Sequence, residues 1–307
     1  MRYLLCIFFI FIAVVVNIPV LALMLGTIFV SIKSQQNLIA PNLGTQLLQT
    51  GIIIIGFTIS SSSAINLISE FFLQVSLFVI AIFCIGILLA KIFNINNSLG
   101  LLISSGTAIC GATAIAAIAP IIKSKPKELL ISLSIIFIFN AVAILVFPFI
   151  GQSLEMSYIQ FGAWVAMAIH DTGSVIGAAM SYGGSSAEVA ATLKLGRTLW
   201  LIPLIIILGI FNNENAKVKL PIFVIIFILA IFMGSTFNIK NEILLVLNYL
   251  SDALIIAALF CIGAQINFHS IKEINLKVIS FAFVLWVFAL IFSYALLMML
   301  WERLKYV

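Results

Sequence analysis

Ala163–Gly184, AWVAMAIHDTGSVIGAAMSYGG, is apolar enough for a membrane interior yet carries His170 and Asp171 near its middle. Asp171 reads as the only acidic residue set deep in a strongly apolar run. A carboxylate there costs several kcal/mol unless it is protonated, paired or facing water, so it is a functional candidate by default. Thr172, Gly173 and Ser174 follow at once. Glycine lowers helix propensity by about 1 kcal/mol, so the pattern predicts a helix that breaks or lets another backbone approach.

The rest of the chain frames this stretch. Its 307 residues are 64% hydrophobic and 8% charged, with a mean hydropathy of +1.31. Soluble chains carry about 25% charged residues. The expected fold class is therefore an all-α polytopic membrane protein, with about 10–11 transmembrane segments, some of them interrupted. A β-barrel would show alternating segments of about ten residues, whereas these apolar runs are continuous. Cys6, Cys84, Cys110 and Cys261 have no CxxC spacing and read as core residues rather than metal ligands or disulfides. The net charge of +5 is spread over loops and reads as an orientation signal, so nucleic acid is not an expected partner.

Apolar runs fall near 3–16, 19–32, 45–60, 71–93, 99–122, 129–150, 158–182, 187–211, 220–236, 246–267 and 277–301. The first is read as an uncleaved helix, because Asn17-Ile18-Pro19 rather than a small-x-small cleavage site follows it. Runs one and two are either a hairpin or one long tilted helix. The longest polar loop, Lys33–Gly44, holds no room for a soluble domain, so residues 1–307 form one integral membrane domain.

Leu99–Lys123 has a centre of small and hydroxylated residues, from Ser104 and Ser105 through Thr107 and Gly111 to Thr113. This composition predicts a broken or re-entrant helix, tolerated at membrane depth only where it is buried in protein or lines a cavity. Charge counting agrees. If all runs cross, seven Lys/Arg fall on the N-terminal side and eight on the other; if 99–123 re-enters, the count is eleven against four. The positive-inside rule then puts both termini in the cytoplasm. A faint repeat pairs Ile55-Gly56 with Ile262-Gly263, each followed by a polar loop and a long apolar helix, as in transporters built from inverted repeats.

Neighbours on a helix point about 100° apart, so His170 and Asp171 would not bond each other. Either could take up and release a coupling ion. A break in 99–123 would bare backbone N–H groups near Gly111–Thr113, an anion site; equally, Ser104, Ser105, Thr107 and Thr113 could coordinate Na⁺ with freed carbonyls. Ser185 and Glu188 have capping-box spacing, starting a helix near Ser186 that carries Lys194 and Arg197 on one face. These cations suit an anionic substrate or a bond to Asp171, or else stand outside the bilayer. HExxH, GxGD and Walker motifs are absent, so no enzyme is expected and no cofactor beyond H⁺ or Na⁺ as coupling ion.

SSGTAICGATAIAAIAPIIKSK at 104–125, AIHDTGSVIGAA at 168–179, LKLGRTLWLIP at 193–203 and CIGAQINFHSIKE at 261–273 together resemble the YeiH-type sulfate exporter family of bacterial inner-membrane proteins. That family is grouped with cation–proton antiporter and bile-acid-symporter-like carriers. The resemblance implies an inverted-repeat fold with core helices around 99–123 and 158–182 packed on a scaffold made by the others. It also implies a multi-pass location in the bacterial inner membrane. The expected function is ion-coupled export of a small anion, sulfate or a sulfur-containing organic acid. Asp171 and His170 would carry the coupling ion, and Ser104, Ser105, Thr107, Gly111, Thr113, Lys194 and Arg197 would hold substrate. A cation/proton antiporter and a non-transporting membrane scaffold are the rivals. Expected partners are the lipid bilayer and the anion, with a homodimer left open.

Overall fold

The computed structural model describes residues 2–33, 42–211, 222–237, 239, 241–264 and 274–304. Within them every regular element is an α-helix: α1 Arg2–Val16, α2 Pro19–Lys33, α3 Leu43–Gly56, α4 Ser61–Ile92, α5 Asn97–Ala108, α6 Ala112–Ile118 and α7 Pro126–Ser153. There follow α8 Tyr158–Ala168, α9 Thr172–Tyr182, α10 Ser186–Thr198, α11 Leu201–Phe211, α12 Ile222–Thr236, α13 Asn241–Gly263 and α14 Leu276–Leu304. Five stretches are long and apolar enough to cross a bilayer: Ser61–Ile92, Pro126–Ser153, Ser186–Phe211, Glu242–Gly263 and Leu276–Met299. The chain is a multi-pass helical membrane protein. Most of the Lys33–Gly44 loop, and the part of the 261–273 signature beyond Ala264 with His269, lie outside the described residues.

Runs one and two are a hairpin, not one tilted helix. Asn17 takes a positive φ of 51°, which ends α1, and the Phe9 and Phe29 rings then meet at 5.9 Å.

Two further hairpins organise the centre, and neither crosses the membrane. In α8–α9 the Phe161 ring, near the start of α8, stacks at 3.9 Å on Tyr182 at the end of α9. Both arms therefore begin and end at the same place, with the turn at Ile169–Asp171. In α5–α6 a Cβ on Gly106 would meet the Ile115 side chain at 3.0 Å. On a straight helix those positions are about 13 Å apart at 1.5 Å per residue, so this segment folds back too.

The hairpins point at each other. Along α7, Ile136 lies against Gly106 of the first hairpin, Asn140 bonds Asp171 at the tip of the second, and Gly151 packs on Phe161 and Tyr182 at its base. Along α14 the order repeats, with Phe281 beside Phe93 just before α5, Trp286 beside His170 and Tyr294 beside Trp164.

The expected re-entry of 99–123 thus holds, but 158–182, read as a spanning run, re-enters as well. This changes the topology downstream: the C-terminal end of α14 lies on the second hairpin's side. The connections at the first hairpin's base carry Lys91, Lys123, Lys125, Lys127 and Lys277, whereas residues 153–157 and 183–186 carry no Lys or Arg. By the positive-inside rule the lysine side is the expected cytoplasmic one. The expectation that both termini share that side fails for the C-terminal end of α14, because the break at His170-Asp171 reverses the chain whereas two apolar arms of this combined length read as one span.

The helices pack in two sets. In one, α13 lies against α3, α2 and α1, and α12 against α3; in the other, α4, α7, α10 and α14 enclose the two hairpins. The sets touch chiefly where α9 meets α2 and α13.

Candidate functional site

The two turns meet. Gly111 caps α6 with φ 58° and ψ −122°, a region that only glycine enters freely. A Cβ there would lie 3.2 Å from Asp171 Cβ and 3.3 Å from the His170 carbonyl carbon. Glycine therefore serves twice at this position, allowing the backbone angle and the contact between tips.

Asp171 is the N-cap of α9. Its Oδ1 accepts from Ser174 N at 3.0 Å and its Oδ2 from Ser174 Oγ at 2.7 Å. Oδ2 also accepts a short hydrogen bond from Asn140 Nδ2. The other end of the same amide, Asn140 Oδ1, accepts from His170 Nδ1 at 3.1 Å. His170 and Asp171 do not bond each other, as expected, but Asn140 of α7 joins them. Sequence reasoning missed Asn140, although a polar residue midway along the apolar run 129–150 satisfies the criterion that singled out Asp171. His170 is boxed in by Phe139 and Trp286, whose rings stack at 4.9 Å; Trp286 Nε1 is buried without a partner among the described residues.

Lys194 and Arg197 lie inside the protein, 0% and 1% exposed. They neither stand outside the bilayer nor bond Asp171. Lys194 Nζ donates to Ile169 O at 2.6 Å. Arg197 donates through Nε to Ala108 O at 2.8 Å, through Nη1 to Ala166 O at 2.9 Å and Met167 O at 2.5 Å, and through Nη2 to Thr107 O at 2.5 Å. Its guanidinium rests 4.8 Å above the Phe78 ring centroid, a cation–π placement. The accepting carbonyls close the C-terminal ends of α5 and α8, where partial negative charge accumulates and no intrahelical donor remains. One side chain thus ties both first arms together.

The remaining candidates are spread out. Ser105 and Thr107 hydroxyls donate back to Leu102 O and Ile103 O within α5. Ser104 points away from the tips: a Cβ on Gly86 of α4 would collide with its side chain, and its Oγ has no partner among the described residues. Thr113, two residues past Gly111, is exposed. Helix α10 starts at Ser186 as expected, yet Ser185 makes no side-chain capping bond. Asp171 is also not the only acid deep in an apolar element. Asp252, half-buried, stands midway along α13, because that helix extends N-terminally to Asn241 beyond the apolar run.

Among known sequences, the family described as Conserved hypothetical protein 698 matches residues 5–282. A UPF0324 membrane protein of Bacteroides thetaiotaomicron is 36% identical, covering 88% of this chain and 83% of its own length. A UPF0324 membrane protein of Porphyromonas gingivalis is 32% identical over 92% and 87%. A third, from Photobacterium profundum, is 38% identical over 79% and 74%. No solved structure matches.

Proposed function

This chain belongs to the Conserved hypothetical protein 698 family of membrane proteins, and on that premise we propose that it is an ion-coupled secondary transporter exporting a small anion, sulfate or a sulfur-containing organic acid. The observation that carries the reading is the distribution of charge at the meeting tips. The carbonyl ends of α5 and α8 are neutralised by Lys194 and Arg197. The amide ends of α6 and α9 sit at the same point with Asp171 as the one carboxylate. Positive helix ends without a competing negative end favour an anion there, and discontinuous helices at membrane depth are the usual setting for transporter sites. Thr113 would contact the anion through its hydroxyl, while Gly111, whose N–H already donates to Gly106 O at 2.8 Å, shapes the turn and Lys194 and Arg197 act by holding the arms.

Asp171 would carry the coupling ion. Its oxygens already accept three donors of the roughly four a carboxylate can take, so a proton or Na⁺ bound there would redistribute these bonds. The amide of Asn140 is the one able to transmit that change to His170.

Two helix contacts of the same form support the same reading. Gly56 ends α3 and admits α12, where its Cβ would meet Phe227 O at 3.1 Å; Gly263 ends α13 and admits α2 at Leu23. In return, Gly234 of α12 abuts Phe57 just after α3, and Gly26 of α2 abuts Phe260 of α13. The two interlocks pair α3 with α13, the correspondence indicated by Ile55-Gly56 and Ile262-Gly263.

The test is a melting scan of the purified protein beside Asp171→Asn. It would use sulfate, sulfite, small sulfonates, small carboxylates and Na⁺ at pH 5.5–8.5. A ligand at 100 times its Kd stabilises by about 2.7 kcal/mol. The expected outcome is an anion-specific shift whose pH dependence vanishes in Asp171→Asn. A shift with Na⁺ alone would establish the cation antiporter instead. No ligand shift, with identical pH profiles for both proteins, would leave the non-transporting scaffold.

A further inference from the structure

A cavity of about 240 Å³ opens between α4 and the junction of α10 with α11. Ile68 and Phe72 line it from α4; Gly196, Leu199 and Trp200 line it from the junction, and Arg197 closes its floor. The cavity exists because the chain bends there. Pro203 has no N–H to offer Leu199 O, which instead accepts from Ile202 N, while Trp200 N turns back to Arg197 O at 3.1 Å. Gly196 leaves the space open: a Cβ would meet only Ile68 Cγ1, at 3.8 Å.

The lining decides what can enter. Arg197 has committed four of its five N–H groups to carbonyls, so it presents its hydrocarbon stem rather than a free charge. Water needs two to four polar partners in such a space, and these walls are apolar side chains. The mouth lies between Phe72, 60% exposed, and Leu199, 41% exposed, on the two apolar spans Ser61–Ile92 and Ser186–Phe211. The medium outside is therefore hydrocarbon. Small-molecule sites run to roughly 300–1,000 Å³, larger than this one. An empty pocket would forfeit its dispersion contacts.

We propose that this cavity is a lipid site that takes a segment of one acyl chain of a bilayer phospholipid. The chain wedges between α4 and the α10–α11 bend, directly behind the arginine that ties the two hairpins together. The inference does not depend on the transport reading.

It is tested by incorporating a phospholipid with a mid-chain diazirine into membranes containing the full-length protein, irradiating, and mapping labelled peptides by mass spectrometry. Label should concentrate on 68–75 and 196–203 relative to other lipid-exposed stretches such as 222–233. Gly196→Leu, which fills the pocket, should reduce that label several-fold and leave the rest unchanged. Ile68→Trp, which narrows the mouth from α4, should do the same and decides the matter if Gly196→Leu does not fold. Even labelling around the whole belt, or label at 68–75 and 196–203 undiminished in the folded variants, would overturn the proposal. So would preferential labelling of these peptides by a headgroup-borne diazirine, which would make the occupant polar.

Discussion

Arg197 does at one residue what two helix caps do elsewhere. Removing its charge leaves the carbonyls of Thr107, Ala108, Ala166 and Met167 without donors in a dry interior. Arg197→Gln is expected to cost on the order of 3–5 kcal/mol, read as a drop in melting temperature in detergent. Arg197→Lys should recover only part of it, since a point-charge ammonium cannot span four acceptors on two helices. Gly111→Ala forces a Cβ into a glycine-only conformation against Asp171 and should cost roughly 1–3 kcal/mol. The two acids in apolar elements should behave oppositely. Asp252 has no described partner, so Asp252→Asn should leave the melting temperature unchanged or raise it, whereas Asp171→Asn keeps one acceptor oxygen but sets an NH2 against Asn140 Nδ2 in place of Oδ2 and lowers it.

At the scale of elements, the two hairpins make a topological prediction that twin spanning helices do not. In a cysteine-free background, Asn97→Cys and Ser124→Cys flank the first hairpin and should react with an impermeant thiol reagent from one membrane face only. Ser153→Cys and Ser185→Cys flank the second and should react from the other. Reaction of Ser153→Cys and Ser185→Cys from opposite faces would mean that 158–182 spans. The first hairpin was legible because Ser, Thr and Gly cluster at its turn and because the lysines after it were misplaced by a spanning reading. The second was half legible. His170-Asp171 and Gly173 marked a break, but each arm is so apolar that 25 residues of hairpin look like 25 residues of span. The partners of the break were less legible still. Arg197 and Lys194 sit at i, i+3, which permits a shared face but says nothing of carbonyls 25 to 90 residues away. Asn140 was available to the same argument as Asp171 and was hidden by the Ile and Phe around it.

The whole molecule is asymmetric about its tips. Helix α9 packs on the α2–α13 set, Gly173 against Leu48 and Ile262 and Gly177 against Leu259, whereas α6 leaves Thr113 and Ala116 exposed. If the hairpin set moves against the other set during transport, fixing this contact should stop it. Gly177→Cys paired with Leu259→Cys should cross-link under mild oxidation, abolish anion uptake into inside-out vesicles and regain it on reduction. Full activity of the cross-linked protein would show that the contact is permanent.

The arginine–lysine anchor has a consequence for the membrane potential. Lys194 and Arg197 against Asp171 give the junction a formal charge of two minus one, a net +1, and the anchor holds those cations to the hairpins through any displacement. A bound divalent anion turns that +1 into −1. Each elementary charge crossing the field is worth about 2.3 kcal/mol per 100 mV. On the proposed reading of anion export, voltage would push the empty and the loaded protein in opposite directions, and the interior-negative potential of a living cell would drive the loaded form outward and draw the empty form back.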